Sequence, residues 1–122
     1  MKITGMIAVL IAIIYPKIAL ASEISDLATC LGGNIPICAN VARTASLTIG
    51  LSDSLTKPQL CREQIVYIAS SSMVAHAHKD YPGIAKLARR ADDVSDSCPE
   101  PFKSRATSLS TALQKALQDA GQ

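Results

Sequence analysis

Aromatic side chains are nearly absent from this chain. Its 122 residues include no Trp, one Phe and three Tyr. A core without large rings has to be assembled from Ile, Leu, Val and many Ala, each of which buries little area. At about 25 cal/mol per Å² such a core yields a modest apolar driving force. Small domains are marginal for the same reason, and cross-links compensate.

Charge of one sign is lacking too. The formal net charge is +2, and Lys2 and Lys17, both near the start, account for it. Without residues 1–21 the chain carries ten basic against ten acidic residues, two fewer basic than the full twelve. No broad positive field remains to attract nucleic acid, so no nucleic-acid partner is expected. Arg89-Arg90 alone reads as a solvated helix face. An Asn-x-Ser/Thr acceptor is missing as well, because Asn34 and Asn40 both lack the hydroxyl two residues later.

The residues of catalysis are equally sparse. His76 and His78 are the only histidines. Two apart on a helix, they point in nearly opposite directions and cannot share a metal ion on one face. Asp92, Asp93 and Asp96 lack the alternating oxygen ligands and the glycine of a calcium loop. Ser70-Ser71-Ser72 has neither an adjacent base nor the glycines of a nucleophile elbow. Gly32-Gly33 is too short for a phosphate loop and suits a tight corner. The expectation is therefore no catalytic residue, no metal and no cofactor: a binding protein rather than an enzyme.

What is present begins with an export leader. Lys2, the apolar run Met6–Ile14 and Ala19-Leu20-Ala21 before Ser22 form a positive end, a hydrophobic stretch and a small-x-small cleavage site. The run is too short to span a bilayer, and Pro16 and Lys17 interrupt its far side. The reading is a secretory signal peptide over 1–21 and one domain over 22–122, with no stable membrane anchor once the leader is removed. An uncleaved anchor is the competing reading.

Four cysteines follow, Cys30, Cys38, Cys61 and Cys98, and an even count in an exported chain points to disulfides. Around them the periodicity is helical. Thr56 serves as an N-cap, with Pro58 in the first turn and Glu63 near the start. Cys61, Ile65, Ile68, Ser72 and Ala75 then recur on one face. Asp80-Tyr81-Pro82-Gly83 reads as the turn that ends this run, since Pro82 would break a continuous helix. Ile84, Leu87, Ala91, Val94 and Cys98 form the next face, stopped by Pro99 and Pro101.

A last segment presents Phe102, Ala106, Leu109, Leu113 and either Ala116 or Leu117, until Gly121. Its many Ser and Thr lower intrinsic propensity, so it has to lean on tertiary packing. Ala39–Ile49 forms a weaker helix with Val41, Ala45 and Thr48 or Ile49 inward. Tyr67, Tyr81 and Phe102 are read as core.

The midpoint between Cys61 and Cys98 lies beside Asp80. Two antiparallel helices hinged there bring both cysteines to the same far end. Cys30 and Cys38 bracket the Gly32–Pro36 corner in the same way. Of the three pairings that four cysteines allow, this symmetry favours 30–38 with 61–98. The fold class is then all-α: a small disulfide-stapled antiparallel bundle with an N-terminal helical hairpin-like extension.

Lys79-Asp80-Tyr81, Ala91-Asp92-Asp93 and Cys98-x-x-x-Phe102-Lys103 add a resemblance, together with Cys61 followed by Tyr67 and the Cys30/Cys38 pair around Pro36. The chain resembles the plant invertase and pectin methylesterase inhibitor family, including its pollen-allergen members. That resemblance implies secretion to the apoplast or cell wall and the same pairing of cysteines, first with second and third with fourth. It also implies a non-catalytic partner role, the occlusion of a secreted carbohydrate-active enzyme. The interval from Cys38 to Cys61 is shorter than the family's by roughly a helix, and the last helix is short. A bundle missing a helix exposes an apolar stripe unless it repacks or forms a homodimer. Two other readings stand beside the inhibitor: a truncated non-inhibitory relative, and an unrelated small helical protein that binds or carries lipid.

Overall fold

The computed structural model describes residues 21–122. Apart from Ala21, the leader and its cleavage site fall outside the described residues. Five α-helices follow one another there: α1 (Ala21–Leu31), α2 (Ile35–Ile49), α3 (Lys57–Ala77), α4 (Tyr81–Ser97) and α5 (Phe102–Asp119). A single 3-10 turn, Ser52–Ser54, lies between α2 and α3. The chain is all-α, with an N-terminal helical hairpin leading into an antiparallel bundle.

The hairpin turns on two glycines. Gly33 has φ 112, in the left-handed region that glycine adopts without steric cost. Asn34 then caps α2, its side chain accepting the Ile37 N–H at 3.1 Å, and Pro36 occupies the first turn. The helix therefore starts at Ile35 and not at Ala39, because Pro36 in a first turn removes no intrahelical bond. Cys30 and Cys38 are joined across this corner with their Cα atoms 4.6 Å apart.

Helix α3 opens on a full capping box: the Gln59 N–H donates to Thr56 Oγ1, and the Thr56 N–H donates to Gln59 Oε1. It closes at His78, and the turn into α4 passes through Lys79 at φ 53. Asp80 then caps α4 by accepting the Gly83 N–H at 3.0 Å. The stretch Asp80–Gly83 is thus a cap and first turn rather than the loop expected from Pro82. Proline costs a helix nothing in its first turn, where no N–H has an internal partner. The reversal itself is three residues, His78 to Asp80. It brings the start of α3 beside the end of α4, where Cys61 and Cys98 are bonded with Cα atoms 6.1 Å apart.

Helix α3 lies at the centre. It packs against α2 on one side and α4 on another, and touches α1 and α5 as well; α4 and α5 share the most extensive helix pair. Ile65, Ile68, Met73, Ile84, Leu109 and Leu113 are the largest side chains fully shielded from solvent. Ala69, Ala91 and Ala106 are fully buried beside them, and these small residues let the helices approach closely. Ser70 and Ser72 are buried too, and each hydroxyl donates back to its own helix, to the carbonyls of Val66 and Ile68. That satisfies the groups locally.

The hydroxyl-rich α5 is held from outside. Lys103 Nζ donates to the Ser95 carbonyl at 2.8 Å, and the Ser95 and Thr107 hydroxyls are 2.6 Å apart, both linking α5 to α4. At its start, the Glu100 carboxylate accepts the Ser104 hydroxyl at 2.6 Å and the Ser104 N–H at 2.8 Å. The Ser104 hydroxyl first, and then its N–H, hold this carboxyl below the ordinary 4.5.

A folded carboxyl that titrates below its unfolded counterpart contributes stability above the unfolded value and loses it as pH falls through the folded one. The expected result is a melting temperature that drops more steeply in wild type than in Glu100→Gln as pH is lowered beneath 4.5. Thermal unfolding followed by circular dichroism across that range checks it. Parallel curves for the two proteins would refute the role given to Glu100.

Candidate protein-interaction surface

Helices α2 and α4 both pack on α3 but scarcely meet each other. The α3 face between them carries Tyr67, Ser71, Val74 and His78, spaced by four, three and four residues. This stripe is the floor of an open groove of about 430 Å³. At 1.5 Å per residue the stripe runs roughly 16 Å along α3. Ala39 and Ala42 of α2 line one wall; Gly83 and Leu87 of α4 line the other. The α2 wall is low because both of its side chains are small, whereas at Gly83 the Asp80 carboxylate occupies the space a side chain would take.

A second, more open depression of about 520 Å³ adjoins the first and shares Lys86 with it. Gln64, Arg89, Arg90 and Asp93 surround it. Arg90 stands between the two. Its guanidinium lies 4.4 Å from the centroid of the Tyr67 ring, and its Nε donates to Gln64 Oε1 at 3.0 Å. A cation over an aromatic face is favourable by about 0.5–1 kcal/mol when exposed, and more when desolvated. Arg90 is accordingly half-buried and positioned, which corrects the reading of Arg89-Arg90 as plain solvated surface. Among the described residues, Lys86 and Arg89 have neither an ion pair nor a hydrogen bond. Asp93 is the one carboxylate lining their depression.

The other residues singled out from sequence do not converge. His78 lies at one end of the groove, exposed, its Nδ1 2.8 Å from the Val74 carbonyl. His76 is half-buried, with an Nδ1 that has no hydrogen-bond partner. Asp92, Asp93 and Asp96 are all exposed on α4. Among the described residues no group of three acidic, His or Cys side chains is arranged to hold a metal ion. Nor is any described helix long and apolar enough to cross a membrane.

Tyr67, Tyr81 and Phe102 are each half-buried and packed on the core. The sequence reading missed that Tyr67 also faces the groove and carries Arg90. The available signal was the spacing of Gln64 and Tyr67 on one side of α3, opposite Arg90 once α3 and α4 are folded together.

Lipid carriage calls for an enclosed apolar space. Between α1, α2 and α3 there is a depression of about 110 Å³ that includes the carboxyl-bearing Asp26 and Glu63. Ligand pockets typically hold about 300–1,000 Å³. This one is too small for an acyl chain.

Compared with known proteins, the chain matches no family model, no curated protein and no solved structure.

Proposed function

We propose that this chain is a secreted, non-catalytic inhibitor of a carbohydrate-active enzyme, an invertase or a pectin methylesterase, acting by steric occlusion. The observation that carries the reading is the pair of cross-links seen with the Lys79–Lys103 stretch. One disulfide staples a short helical hairpin, and the other locks the far ends of α3 and α4. Tyr81, Cys98, Phe102 and Lys103, four of the residues of the resemblance, belong to the α4–α5 unit that this second link anchors.

The short interval from Cys38 to Cys61 is compatible with this role. The hairpin's own second helix, α2, packs against α3 and so covers one side of it. A rigid body of this kind occludes a cleft by shape, and low conformational freedom in the bound surface favours affinity.

Purified, oxidised protein added to both enzymes in substrate-turnover assays at acidic and neutral pH tests the proposal. Saturable inhibition of one enzyme, competitive with its polymeric or disaccharide substrate, is the expected result. Full activity of both enzymes at a large excess of the protein would exclude it.

A further inference from the structure

We infer that the groove between α2 and α4 docks an acidic, amphipathic helix of a protein partner. This goes beyond the inhibitory reading and stands without it, because it depends on the groove alone.

The shape comes first. Tyr67, Ser71, Val74 and His78 follow one helical stripe, so the floor is straight and as long as about three helical turns. Ala39 and Ala42 on the α2 wall leave room for a helix backbone to settle close to α3. A docked helix would meet α2, α3 and α4 at once, through apolar anchors spaced three and four residues apart. Tyr67, Val74 and Leu87 offer those anchors apolar surface.

Charge selects the occupant. Lys86 projects at the groove's edge, and Arg89 and Arg90 continue beyond it. Lys86 and Arg89 make no ion pair among the described residues, and three cations there outnumber the single carboxylate of Asp93, whereas the opposite end has Asp80, whose carboxylate is already engaged in capping Gly83. The partner's carboxylates therefore belong at the Arg90 end of the groove. Arg90 is held by Tyr67 and Gln64 before any partner arrives. Little side-chain freedom is lost when it binds, and Arg and Tyr are both enriched among the residues that dominate binding energy at interfaces. Nucleic acid fits poorly, since three cations beside an apolar floor offer no continuous track for phosphates.

The test uses the oxidised protein, isotopically labelled, and three synthetic amphipathic peptides of about 18 residues. Each has leucines at spacings of three and four on one face; they differ only in carrying Glu, Gln or Lys beside that face. Titrations followed by amide chemical shifts are expected to show saturable binding of the Glu peptide, with changes at Ala39, Ala42, Ser71 and Leu87. The Gln peptide should bind about tenfold more weakly, and the Lys peptide less still.

The double variant Lys86→Glu/Arg89→Glu changes two exposed side chains and should reverse the order, favouring the Lys peptide. Ala42→Trp, which fills the groove from its rim, should weaken the Glu peptide about tenfold while leaving the circular dichroism spectrum unchanged. Failure of the Glu peptide to bind, equal affinity for Glu and Gln peptides, or shifts confined to another surface would each overturn the inference.

Discussion

Replacing Cys61 and Cys98 together by alanine is expected to lower stability by about 4 kcal/mol. The bond closes a separation of 37 residues, so its removal frees a long loop in the unfolded chain. The corresponding loss for Cys30 and Cys38, separated by 8 residues, is about 2.5 kcal/mol. For a domain of this size, 4 kcal/mol corresponds to a fall in melting temperature of roughly 15–30 °C. It is also a large part of the 5–15 kcal/mol that holds a typical domain folded. Thermal unfolding of the two double variants, read by circular dichroism under matched conditions, gives the comparison. If the hairpin variant lost more than the bundle variant, the ranking by loop length would be wrong.

Ile65→Ala is expected to cost about 2–5 kcal/mol, and Ile65→Val only about 1. Ile65 is fully buried on α3, the helix that the other four surround. Its neighbours cannot slide in to fill the vacated volume without disturbing several interfaces together, so the cavity persists. The alanine-rich packing sharpens this, because Ala69, Ala91 and Ala106 have no side-chain length with which to reach into a gap. Urea unfolding of both variants measures the two losses. A cost for the alanine variant below 1 kcal/mol would show that α3 is less confined than its burial indicates.

Much of this was legible because the α3–α4 unit is nearly a mirror image in sequence. Counting outward from the reversal near Lys79, Ala75 answers Ile84, Ser72 answers Leu87, Ile68 answers Ala91, Ile65 answers Val94 and Cys61 answers Cys98. All ten residues are buried. A run whose apolar positions reflect about a turn has one economical arrangement, two antiparallel helices with those positions inward. The cysteine pairing follows from the same reflection.

Other parts were obscured by local ambiguity. Pro82 is compatible with a loop or with a first helical turn. Only the geometry of the Asp80 side chain on Gly83 distinguishes them. Pro36 posed the same ambiguity at the start of α2.

The groove was not legible at all. It depends on where α2 lies against α3, and the interval between Cys38 and Cys61 contains no cross-link or mirror pattern to fix that. Arg90 illustrates the same limit. A basic residue in a helix reads as solvated surface until the partner helix places a Tyr ring beneath it. Charge type is written in the sequence, but the identity of what lies opposite is a property of the packing.

The Cys61–Cys98 link also divides the chain mechanically. A force applied to its two ends would travel through the sulfur bridge and bypass the α3–α4 hairpin. The stretch from Cys61 to Cys98, a sequence separation of 37, would contribute nothing to the extension, withholding roughly 125 Å of contour from any pull. Helices α1, α2 and α5 could be drawn off while the central pair remained closed on itself, a knot of helix that tension alone cannot unwind.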